Sequence, residues 1–395
     1  MKIPLQTDIA VVGGGPAGTT FALHAALAGL KVVVLEKDRD IGVPVRCGEA
    51  VSDAGLRIFH DPDPRWIRTT IDRIRLVSPD ETVIEFPLRE TGYILDRRIF
   101  DYDLAVKAAE AGALIVTKAY VNGLLTSPDG VCGVTGRQVQ EPFQLRARLV
   151  VGADGVESRV GRWAGIRTQL KLKDLESGIQ KTVSGIDVTP NIFEFYLSSS
   201  WAPGGYLWVF PKGKTMANIG LAINGVFARD GKAAHRFLDE FLEWKYPNGA
   251  VLSTVAGGVP VAKTVREMVT DGLMLVGDAA HTVNPLTGGG IISGMRSGLL
   301  AAETAVEILK NNLRPTRERL KAYEQKWYKI GGKNHERLYR LKEAIYRLTD
   351  QELDAIAHRL VSVPEDQLSL FKMFSTALRT KPSLLIDVAR LFTGI

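Results

Sequence analysis

Three glycines near the N-terminus have a spacing that suits the binding of a dinucleotide. Gly13, Gly15 and Gly18 form a G-x-G-x-x-G loop, with Ala17 inside it, between an apolar strand and an Ala-rich helix. The glycines permit a tight turn and bring the backbone close to a pyrophosphate, and the start of the helix offers unpaired N–H donors. The loop therefore predicts a pyrophosphate site, but proteins that bind NAD and proteins that bind FAD share it.

The residues on either side of this loop complete a βαβ unit. Strands are predicted at residues 7–12 and 31–35, with a helix between them at 16–29. Because such a crossover places its two strands in parallel, Glu36 falls at the end of the second strand. Its carboxylate can accept hydrogen bonds from ribose hydroxyls and disfavours a 2′-phosphate.

Two later segments distinguish between the cofactors. Residues 151–159, VGADGVESR, and 275–281, LVGDAAH, resemble the DG and GD motifs of the p-hydroxybenzoate hydroxylase superfamily of FAD proteins. The resemblance implies one FAD, with Asp278 at the ribityl chain. It also implies that Asp154 ties its loop near the pyrophosphate.

The same superfamily suggests further cofactor contacts. It uses an arginine placed like Arg97 near the phosphates or ribityl chain, and the main chain of a residue placed like Val121 at the adenine. A plain core valine is the alternative for Val121. A glycine-rich loop leads into a helix and can point backbone N–H groups at the pyrimidine end of a flavin. Its residues are Gly288, Gly289, Gly290 and Ile291.

A second resemblance concerns the reaction. Residues 203–211, PGGYLWVFP, and 46–49, RCGE, closely resemble motifs of the geranylgeranyl reductase family, especially its archaeal-type members that act on isoprenoid ether lipids. The resemblance implies an FAD-dependent reductase that saturates C=C bonds of geranylgeranyl chains. It also implies cofactor contacts from Arg46, Cys47, Gly48 and Ala50. The chain departs from the archaeal pattern at Ala50, where glycine is expected, and this leaves the exact substrate open.

The residue types in these motifs suit that chemistry. Tyr206, Trp208 and Phe210 alternate along a predicted strand, so their side chains share one face and can wall a long apolar cavity. Ordinary core packing is the alternative. Cys47 lies in a loop expected to run along the flavin, where its thiol can protonate one alkene carbon while flavin N5 gives a hydride to the other. A buried, inert cysteine is the alternative there.

Three other functions remain compatible with the sequence. Residues 205–211 also resemble the G-W-x-W-x-I-P pattern of flavin halogenases with its first Trp replaced, so a halogenase or monooxygenase is one alternative. A reductase of the prenyl tail of a quinone or a chlorophyll precursor is another, and an electron-transfer flavoprotein without an organic substrate is the third. Because the sequence has one dinucleotide loop, we expect electrons from an external donor such as ferredoxin, a reduced deazaflavin or NAD(P)H.

The predicted elements indicate an α/β fold, and the chain as a whole, with its added antiparallel sheet and helices, is α+β. A Rossmann-like FAD-binding domain is predicted in three segments, 1–78, 97–165 and 262–310. Alternating, aromatic-rich segments predict an inserted antiparallel-sheet substrate domain over 166–261, together with parts of 50–96. Residues 311–395 are predicted to be mostly helical.

The net charge of +6 is concentrated near the C-terminus. From residue 311 onward the chain has 16 Lys and Arg against 10 Asp and Glu, an excess equal to that of the whole chain. A solvated helical surface is one interpretation, and contact with an anionic lipid surface is the other. Apolar residues recur at helical spacing in the last segment, at Leu384, Leu385, Val388 and Leu391. No nucleic-acid-binding module is recognisable, so we do not expect a nucleic-acid partner.

Cysteine content and hydropathy bear on the compartment. Two cysteines are too few for a disulfide framework and favour a reducing compartment. No apolar run reaches the roughly 18 to 20 residues of a membrane span, and the N-terminus lacks the pattern of a signal peptide. We therefore expect a cytoplasmic protein, peripheral at the inner face of the cell membrane if the basic segment binds lipid.

Overall fold

The computed structural model describes residues 2–368, which form two compact units built from separate chain segments. The first unit comprises the chain up to Val45, Arg97–Leu170 and Pro260–Glu336. Among the described residues, the second comprises Arg46–Asp96, Lys171–Val259 and 337–368. The apolar pattern predicted at residues 384–391 lies outside the described residues. Within 2–368, no helix is long and apolar enough to cross a bilayer.

The described residues contain sixteen β-strands and ten α-helices. The strands are β1 (Gln6–Val12), β2 (Val32–Leu35), β3 (Ala50–Ser52), β4 (Ile67–Val77), β5 (Val83–Leu95), β6 (Leu114–Val116), β7 (Ala119–Ser127), β8 (Gly130–Gln138), β9 (Glu141–Gly152), β10 (Leu175–Ser184), β11 (Ile192–Tyr196), β12 (Tyr206–Pro211), β13 (Met216–Asn224), β14 (Ala250–Pro260), β15 (Val269–Thr270) and β16 (Leu273–Leu275). The helices are α1 (Pro16–Leu27), α2 (Asp53–Arg57), α3 (Arg97–Glu110), α4 (Arg159–Trp163), α5 (Gly225–Arg229), α6 (Ala234–Lys245), α7 (Ile291–Lys310), α8 (Arg317–Trp327), α9 (Lys333–Ile345) and α10 (Asp350–Val361).

The first unit is built on a sheet with the strand order β15-β16-β9-β1-β2-β6. Strand β1 pairs in parallel with β2 and β9, and the antiparallel strand β8 joins β7 to β9. Strand β2 reads VVVL and is buried throughout, which is typical of a parallel strand covered on both faces. Helix α1 packs against α3 and α7 and buries Phe21 and Ala22 in the core. The predicted Rossmann-like arrangement at the N-terminus is confirmed.

The second unit contains one sheet with the strand order β14-β10-β13-β12-β11-β4-β5-β3. The hairpins β4–β5 and β12–β13 are antiparallel, whereas β4 and β11 run parallel. Helix α6 packs Leu238 and Phe241 into the core of this unit. Helix α10 packs Ile356 and Leu360 against residues of β4 and β5. The β4–β5 hairpin therefore belongs to the second sheet, in agreement with the prediction that parts of residues 50–96 join the substrate domain.

The units divide the chain differently from the predicted domains at two places. The first domain was predicted to continue to residue 78, but the chain from Arg46 belongs to the second unit, because β3 and β4 pair within its sheet. Residues 311–336 were assigned to a C-terminal helical region, but they belong to the first unit, because α8 buries Leu320, Tyr323 and Trp327 in its core. Hydrophobic periodicity identifies such elements but not the partners they pack against.

Candidate functional site

The glycine loop joins β1 to α1 and borders an open space. Gly13 has a φ of +110°, and a Cβ there would lie 2.3 Å from the carbonyl oxygen of Ala153. A Cβ on Gly18 would lie 2.1 Å from the carbonyl oxygen of Gly13, so both positions require glycine. A Cβ on Gly15, in contrast, would meet no described atom within 4 Å. This space fits a pyrophosphate at the N-terminus of α1, whose N-cap makes no side-chain hydrogen bond within the described residues.

Glu36 lies against the same loop. Its Oε2 accepts a hydrogen bond from the Gly14 N–H (2.8 Å), and its Oε1 accepts one from the Asp38 N–H (2.9 Å). These two bonds fix the orientation of the carboxylate. Because a carboxylate can accept about four hydrogen bonds, Glu36 retains capacity for the ribose hydroxyls predicted to bind there.

Asp154 and Ser158 hold the loop that follows β9. Asp154 Oδ2 accepts from the Val160 N–H at 3.0 Å, and its Oδ1 is buried without a hydrogen-bond partner among the described residues. Burial raises the pKa of this carboxyl. The Ser158 hydroxyl donates to the carbonyl oxygen of Ala279 at 2.8 Å. The loops after β9 and β16, which carry the two predicted FAD motifs, are therefore bonded to each other, and Asp154 Oδ1 fits a hydroxyl donor.

Asp278, Arg97 and Gly290 come together in the first unit. Burial raises the pKa of Asp278 to about 6, while the positive charge of Arg97 acts in the opposite direction. Arg97 is oriented by a bidentate pair with Asp101, one turn along α3, with both N–O distances at 2.6 Å. A Cβ on Gly290 would lie 3.2 Å from Asp278 Oδ1. The arrangement fits a ribityl chain, whose hydroxyls would stabilise the ionised form of Asp278.

The loop before α7 differs in part from the prediction. We expected its glycines to point N–H groups at a flavin, but the Gly288 N–H donates to the carbonyl oxygen of Asn284 (2.9 Å). The Gly289 N–H donates to a side-chain oxygen of the same loop at 3.3 Å. These two groups serve the turn itself. The N-terminus of α7 remains the candidate donor, because its N-cap Gly290 and first residue Ile291 have no side-chain cap in the described structure.

Two of the predicted cofactor residues contribute to packing in the first unit. The side chain of Val121 is buried, and its main chain pairs with Gly136 of β8 at a register shift. The methyl group of Ala17 faces Gly277 and Gly294, where a Cβ would come within 2.9 Å and 3.5 Å of it. Ala17 therefore allows the start of α1 to approach the loop after β16 closely. Contact of either residue with FAD stays a prediction.

Arg46, Cys47, Gly48 and Ala50 lie in the second unit, where they lead into β3. Ala50 is part of that strand and pairs with Ile94 of β5. A Cβ on Gly257 of β14 would lie 3.6 Å from Arg46 Cδ. The segment from Arg46 to Glu49 is named the RCGE loop below.

Five aromatic rings share one face of the second sheet, and we name this set the aromatic face. They are Phe193, Phe195, Tyr206, Trp208 and Phe210, the first two from β11 and the others from β12. Phe195 pairs opposite Trp208, and its ring centroid lies 5.5 Å from that of Phe210. A Cβ on Gly220 of β13 would lie 2.4 Å from the indole, so this glycine lets Trp208 lie across the neighbouring strand. The sequence placed Phe193 and Phe195 on a strand but did not associate them with the predicted substrate wall.

The RCGE loop packs on the aromatic face. The side chain of Gln180 joins the two, because its Nε2 donates to the carbonyl oxygen of Cys47 (2.9 Å) and its Oε1 accepts from Trp208 Nε1 (3.1 Å). A Cβ on Gly48 would lie 2.8 Å from the ring of Phe210. The structure therefore brings the predicted catalytic cysteine beside two of the three predicted substrate residues.

Glu49 holds the RCGE loop in this position. It is 3% exposed, and its Oε2 accepts from Lys212 Nζ and Asn218 Nδ2, both at 2.5 Å. Its backbone has a φ of +71°, a conformation that costs a residue other than glycine about 1 to 3 kcal/mol. That conformation directs the Glu49 N–H to Cys47 Sγ at 3.2 Å.

Sequence reasoning missed three residues that position the RCGE loop. Gln180, Lys212 and Asn218 lie on or beside strands of the second sheet, and none belongs to a recognised motif. Asn218 carried the one usable signal, because it is a polar residue inside the apolar run of β13 and is fully buried.

Comparison with known proteins finds a family match for the segment that carries the glycine loop and another for the segment that carries the aromatic face. Residues 174–259 match a family model described as the geranylgeranyl reductase catalytic domain, and residues 8–98 match one described as FAD dependent oxidoreductase. A digeranylgeranylglycerophospholipid reductase of Methanocella arvoryzae is 42% identical over 98% of this chain and 99% of its own length. The protein of the same name from Methanosarcina acetivorans is 39% identical over 98% of this chain and 96% of its own.

Solved structures show the same relationship. The crystal structure of a geranylgeranyl bacteriochlorophyll reductase-like protein from Thermoplasma acidophilum superposes with a TM-score of 0.91 at 34% identity, covering 98% of this chain and 99% of that one. A flavin-dependent brominase superposes with a TM-score of 0.71 at 16% identity, covering 98% and 93%, which shows the shared fold alone. Since relatives about 40% identical match it over nearly its full length, this chain belongs to the geranylgeranyl reductase family of FAD-dependent oxidoreductases.

Proposed function

We propose that this protein saturates C=C bonds in the geranylgeranyl chains of isoprenoid ether phospholipids. The observation that carries the proposal is the RCGE loop of the second unit, which sets a cysteine thiol beside a face made of aromatic rings. Saturation of an alkene requires a hydride and a proton. The named relatives, which are reductases of digeranylgeranylglycerophospholipids, support this substrate class.

The first unit supplies the residues that would hold FAD. The glycine loop and the N-terminus of α1 would bind the pyrophosphate, and Glu36 the ribose hydroxyls. Asp278 and Arg97 would meet the ribityl chain, and the N-terminus of α7 the pyrimidine end of the flavin. When bound and reduced, FAD supplies the hydride.

In the second unit, Cys47 would supply the proton. The Glu49 N–H stabilises the charge that develops on Cys47 Sγ as the proton leaves, and Gln180 fixes the carbonyl group of the same residue. The aromatic face would bind the polyprene chain and exclude water from it. A half-buried apolar surface of this kind recognises an isoprenoid by shape and area, since the chain offers no polar groups.

The electron donor and the location of the protein are further parts of the proposal. The chain would take electrons from an external donor, either ferredoxin, a reduced deazaflavin or NAD(P)H. A cytoplasmic enzyme acting on a lipid must reach the membrane surface, and the basic excess after residue 311 supports peripheral contact at its inner face.

The proposal is tested by reducing the FAD of the holoprotein without oxygen and adding a digeranylgeranyl ether phospholipid. We expect reoxidation of the flavin together with a saturated product seen by mass spectrometry. Cys47→Ala should abolish product while retaining FAD, and Cys132→Ala, a second half-buried cysteine, serves as the matched control. Wild-type protein that neither reoxidises nor forms product with this lipid would overturn the proposed function.

A second candidate substrate is a prenylated pigment precursor or quinone. The name of the solved relative from Thermoplasma acidophilum, which refers to bacteriochlorophyll, favours it. The two substrates differ in the head group rather than in the chain that is reduced. Competition between a geranylgeranyl ether lipid and a geranylgeranylated pigment or quinone would separate them by the ratio of kcat/KM values. A halogenated product that forms only when halide is present would instead indicate the halogenase alternative, which only the similarity of fold supports.

A further inference from the structure

Glu176 is a buried carboxyl group on the aromatic face of the second sheet. In the strand register, Gly178 of β10 lies opposite Ala222 of β13, which in turn lies opposite Tyr206 of β12. Side chains alternate along a strand, so Glu176, two residues before Gly178, points to the same face as Tyr206. Glu176 is 2% exposed. A carboxyl group is rarely buried so completely without a role or a partner.

The groups around Glu176 link it to Cys47 on one side. The ring centroid of Tyr206 lies 5.8 Å from that of Trp208, whose indole shares Gln180 with the carbonyl group of Cys47. The charges of Glu176 and of Cys47 both raise the pKa of Tyr206, after the larger effect of burial. Burial raises the pKa of Glu176 to about 7, while a hydrogen bond from Tyr346 and the charge of Lys342 act in the opposite direction. Glu176 therefore populates both its protonated and ionised forms near neutral pH.

On its other side, Glu176 faces polar groups of α9, of the residue that follows it and of the turn before β10. Tyr346 donates a hydrogen bond to Glu176, and the Lys342 ammonium, with 2% of its side chain exposed, lies 3.5 Å from Asp174 Oδ1. The Tyr339 hydroxyl lies 2.7 Å from Asp174 Oδ1 and 3.1 Å from Glu343 Oε1. The Glu343 side chain is 32% exposed. Lys342 relates the two sets of contacts, because its ammonium lies 5.8 Å from the centroid of the Tyr346 ring and its charge acts on Glu176. We name these groups, from Glu343 at the surface to Tyr346 beside Glu176, the polar series.

We propose that Glu176 is a relay residue that returns a proton to Cys47 through the hydroxyl of Tyr206 after each double bond is reduced. This inference rests on the proposed function, in which Cys47 becomes a thiolate. The S–H bond of Cys47 re-forms as the O–H bond of Tyr206 breaks, and the O–H bond of Tyr206 re-forms as that of Glu176 breaks. Glu176 is then protonated from solvent through the polar series, and no group is oxidised or reduced.

The aromatic face creates the need for such a relay. A polyprene bound against these rings displaces the water that would otherwise reprotonate the cysteine. A geranylgeranyl lipid contains several double bonds, so the thiol must be restored repeatedly. A hydroxyl on the aromatic face, with a titrating carboxyl beside it, restores the proton without admitting bulk water.

The test compares Glu176→Gln with Glu194→Gln. Glu194 is the control for loss of a buried carboxylate, because it is 7% exposed, accepts a hydrogen bond from the Tyr196 hydroxyl (2.5 Å), and lies on the opposite face of the same sheet. It also pairs with Arg75 and Lys245, so Glu194→Gln reports whether loss of stability alone slows turnover. In anaerobic stopped flow with reduced holoenzyme, a geranylgeranyl lipid and excess dithionite to re-reduce the flavin, Glu176→Gln should keep the first turnover. Its later turnovers should slow by about ten- to a hundredfold. Glu194→Gln should slow neither phase.

A measurement with a saturated ether lipid bound isolates the proton transfer, because this chain displaces water from the aromatic face but has no double bond to reduce. In a Cys132→Ser background, the S–H stretching band in the Raman spectrum reports Cys47 alone, and transfer into D2O gives its exchange rate. Exchange should be slower in Glu176→Gln and in Tyr206→Phe than in the Glu194→Gln control.

The pH profile separates a relay from a structural role. Glu176 must be protonated to donate, so the rate of later turnovers in the wild type should fall as the pH rises through about 7. The titratable and charged groups described around Glu176 are Tyr346 and Lys342 from the α9 segment and Tyr206 from β12. Tyr346→Phe removes a hydrogen bond that lowers the pKa of Glu176, so it should move this fall to higher pH.

Two results would overturn the relay. One is equal exchange of the Cys47 S–H in Glu176→Gln and in the control, and the other is an unchanged pH profile in Tyr346→Phe. Wild-type protein that never turns over the lipid would instead refute the proposed function, so the two failures are distinguishable. If Glu176→Gln does not fold, Tyr206→Phe and Tyr346→Phe decide the question.

Discussion

The ion pair between Glu49 and Lys212 should dominate the stability of the RCGE loop. Their side chains are only 4% and 9% exposed, so each charge depends on the other for compensation. Glu49→Gln keeps the size of the side chain and one acceptor oxygen but leaves the Lys212 ammonium buried beside a neutral amide. Removing one partner of a buried pair costs about 3 to 5 kcal/mol, and Lys212→Met should cost a similar amount.

A double-mutant cycle measures this coupling. In the variant with both substitutions no buried charge remains, so its free energy of unfolding should exceed the value expected from adding the single losses by about 3 kcal/mol. The assay is urea unfolding of the holoprotein, followed by tryptophan fluorescence and circular dichroism, with coincidence of the two transitions as the condition for using a free energy.

A more exposed pair in the same unit provides the control. Lys181 and Asp239 have side chains that are 18% and 44% exposed, so the cycle of Lys181→Met and Asp239→Asn should give a coupling of about 1 kcal/mol or less. If the losses of unfolding free energy in the Glu49 and Lys212 single variants add up to the loss in the double variant within about 0.5 kcal/mol, the reasoning from burial is wrong.

Three further substitutions separate effects on folding from effects on binding. Gly15→Ala should leave the stability of the FAD-free protein within about 1 kcal/mol of wild type, because its methyl group meets no described atom within 4 Å. It should weaken FAD binding at least about tenfold in a fluorescence titration, and unchanged affinity would contradict the pyrophosphate site. Gly48→Ala places a Cβ 2.8 Å from the Phe210 ring, so lipid reduction should fall while FAD content stays normal; full activity would show that the loop tolerates displacement. Asp278 has a pKa raised from 3.8 to about 6, so its contribution to stability is present below the unfolded value and is lost as the pH rises through about 6. FAD-free Asp278→Asn should therefore gain about 1.4 kcal/mol on wild type between about pH 5 and pH 8 in urea unfolding, and a difference independent of pH would exclude this reasoning.

The parts of the molecule that the sequence predicted well are those whose signal is local. The glycine loop, the strands beside it and Glu36 lie within about thirty residues, and their spacing follows from the geometry of one βαβ unit. Strand alternation likewise put Tyr206, Trp208 and Phe210 on one face, as the register of β12 confirms.

The parts that the sequence did not predict depend on pairing between distant segments. Glu49 and Asn218 are 169 residues apart, and nothing in either local pattern indicates that they form a hydrogen bond. Glu176 occupies an alternating strand, where an acidic residue is equally compatible with a solvated face. Burial of that face depends on the packing around α9, which periodicity cannot specify.

The interleaved chain of the two units has a consequence for how the protein is made. Strand β1 can pair with β2 early in synthesis, but its other neighbour, β9, begins at Glu141, and β16 follows only at Leu273. The carbonyl oxygen of Ala153 lies close to Gly13 in the folded protein, but Ala153 is synthesised only after β4 and β5. Neither unit can be expressed as one contiguous fragment, and contacts of such long sequence separation slow folding. Because the cofactor site is completed late and FAD would bind only the folded protein, FAD supply during synthesis should raise the yield of folded protein.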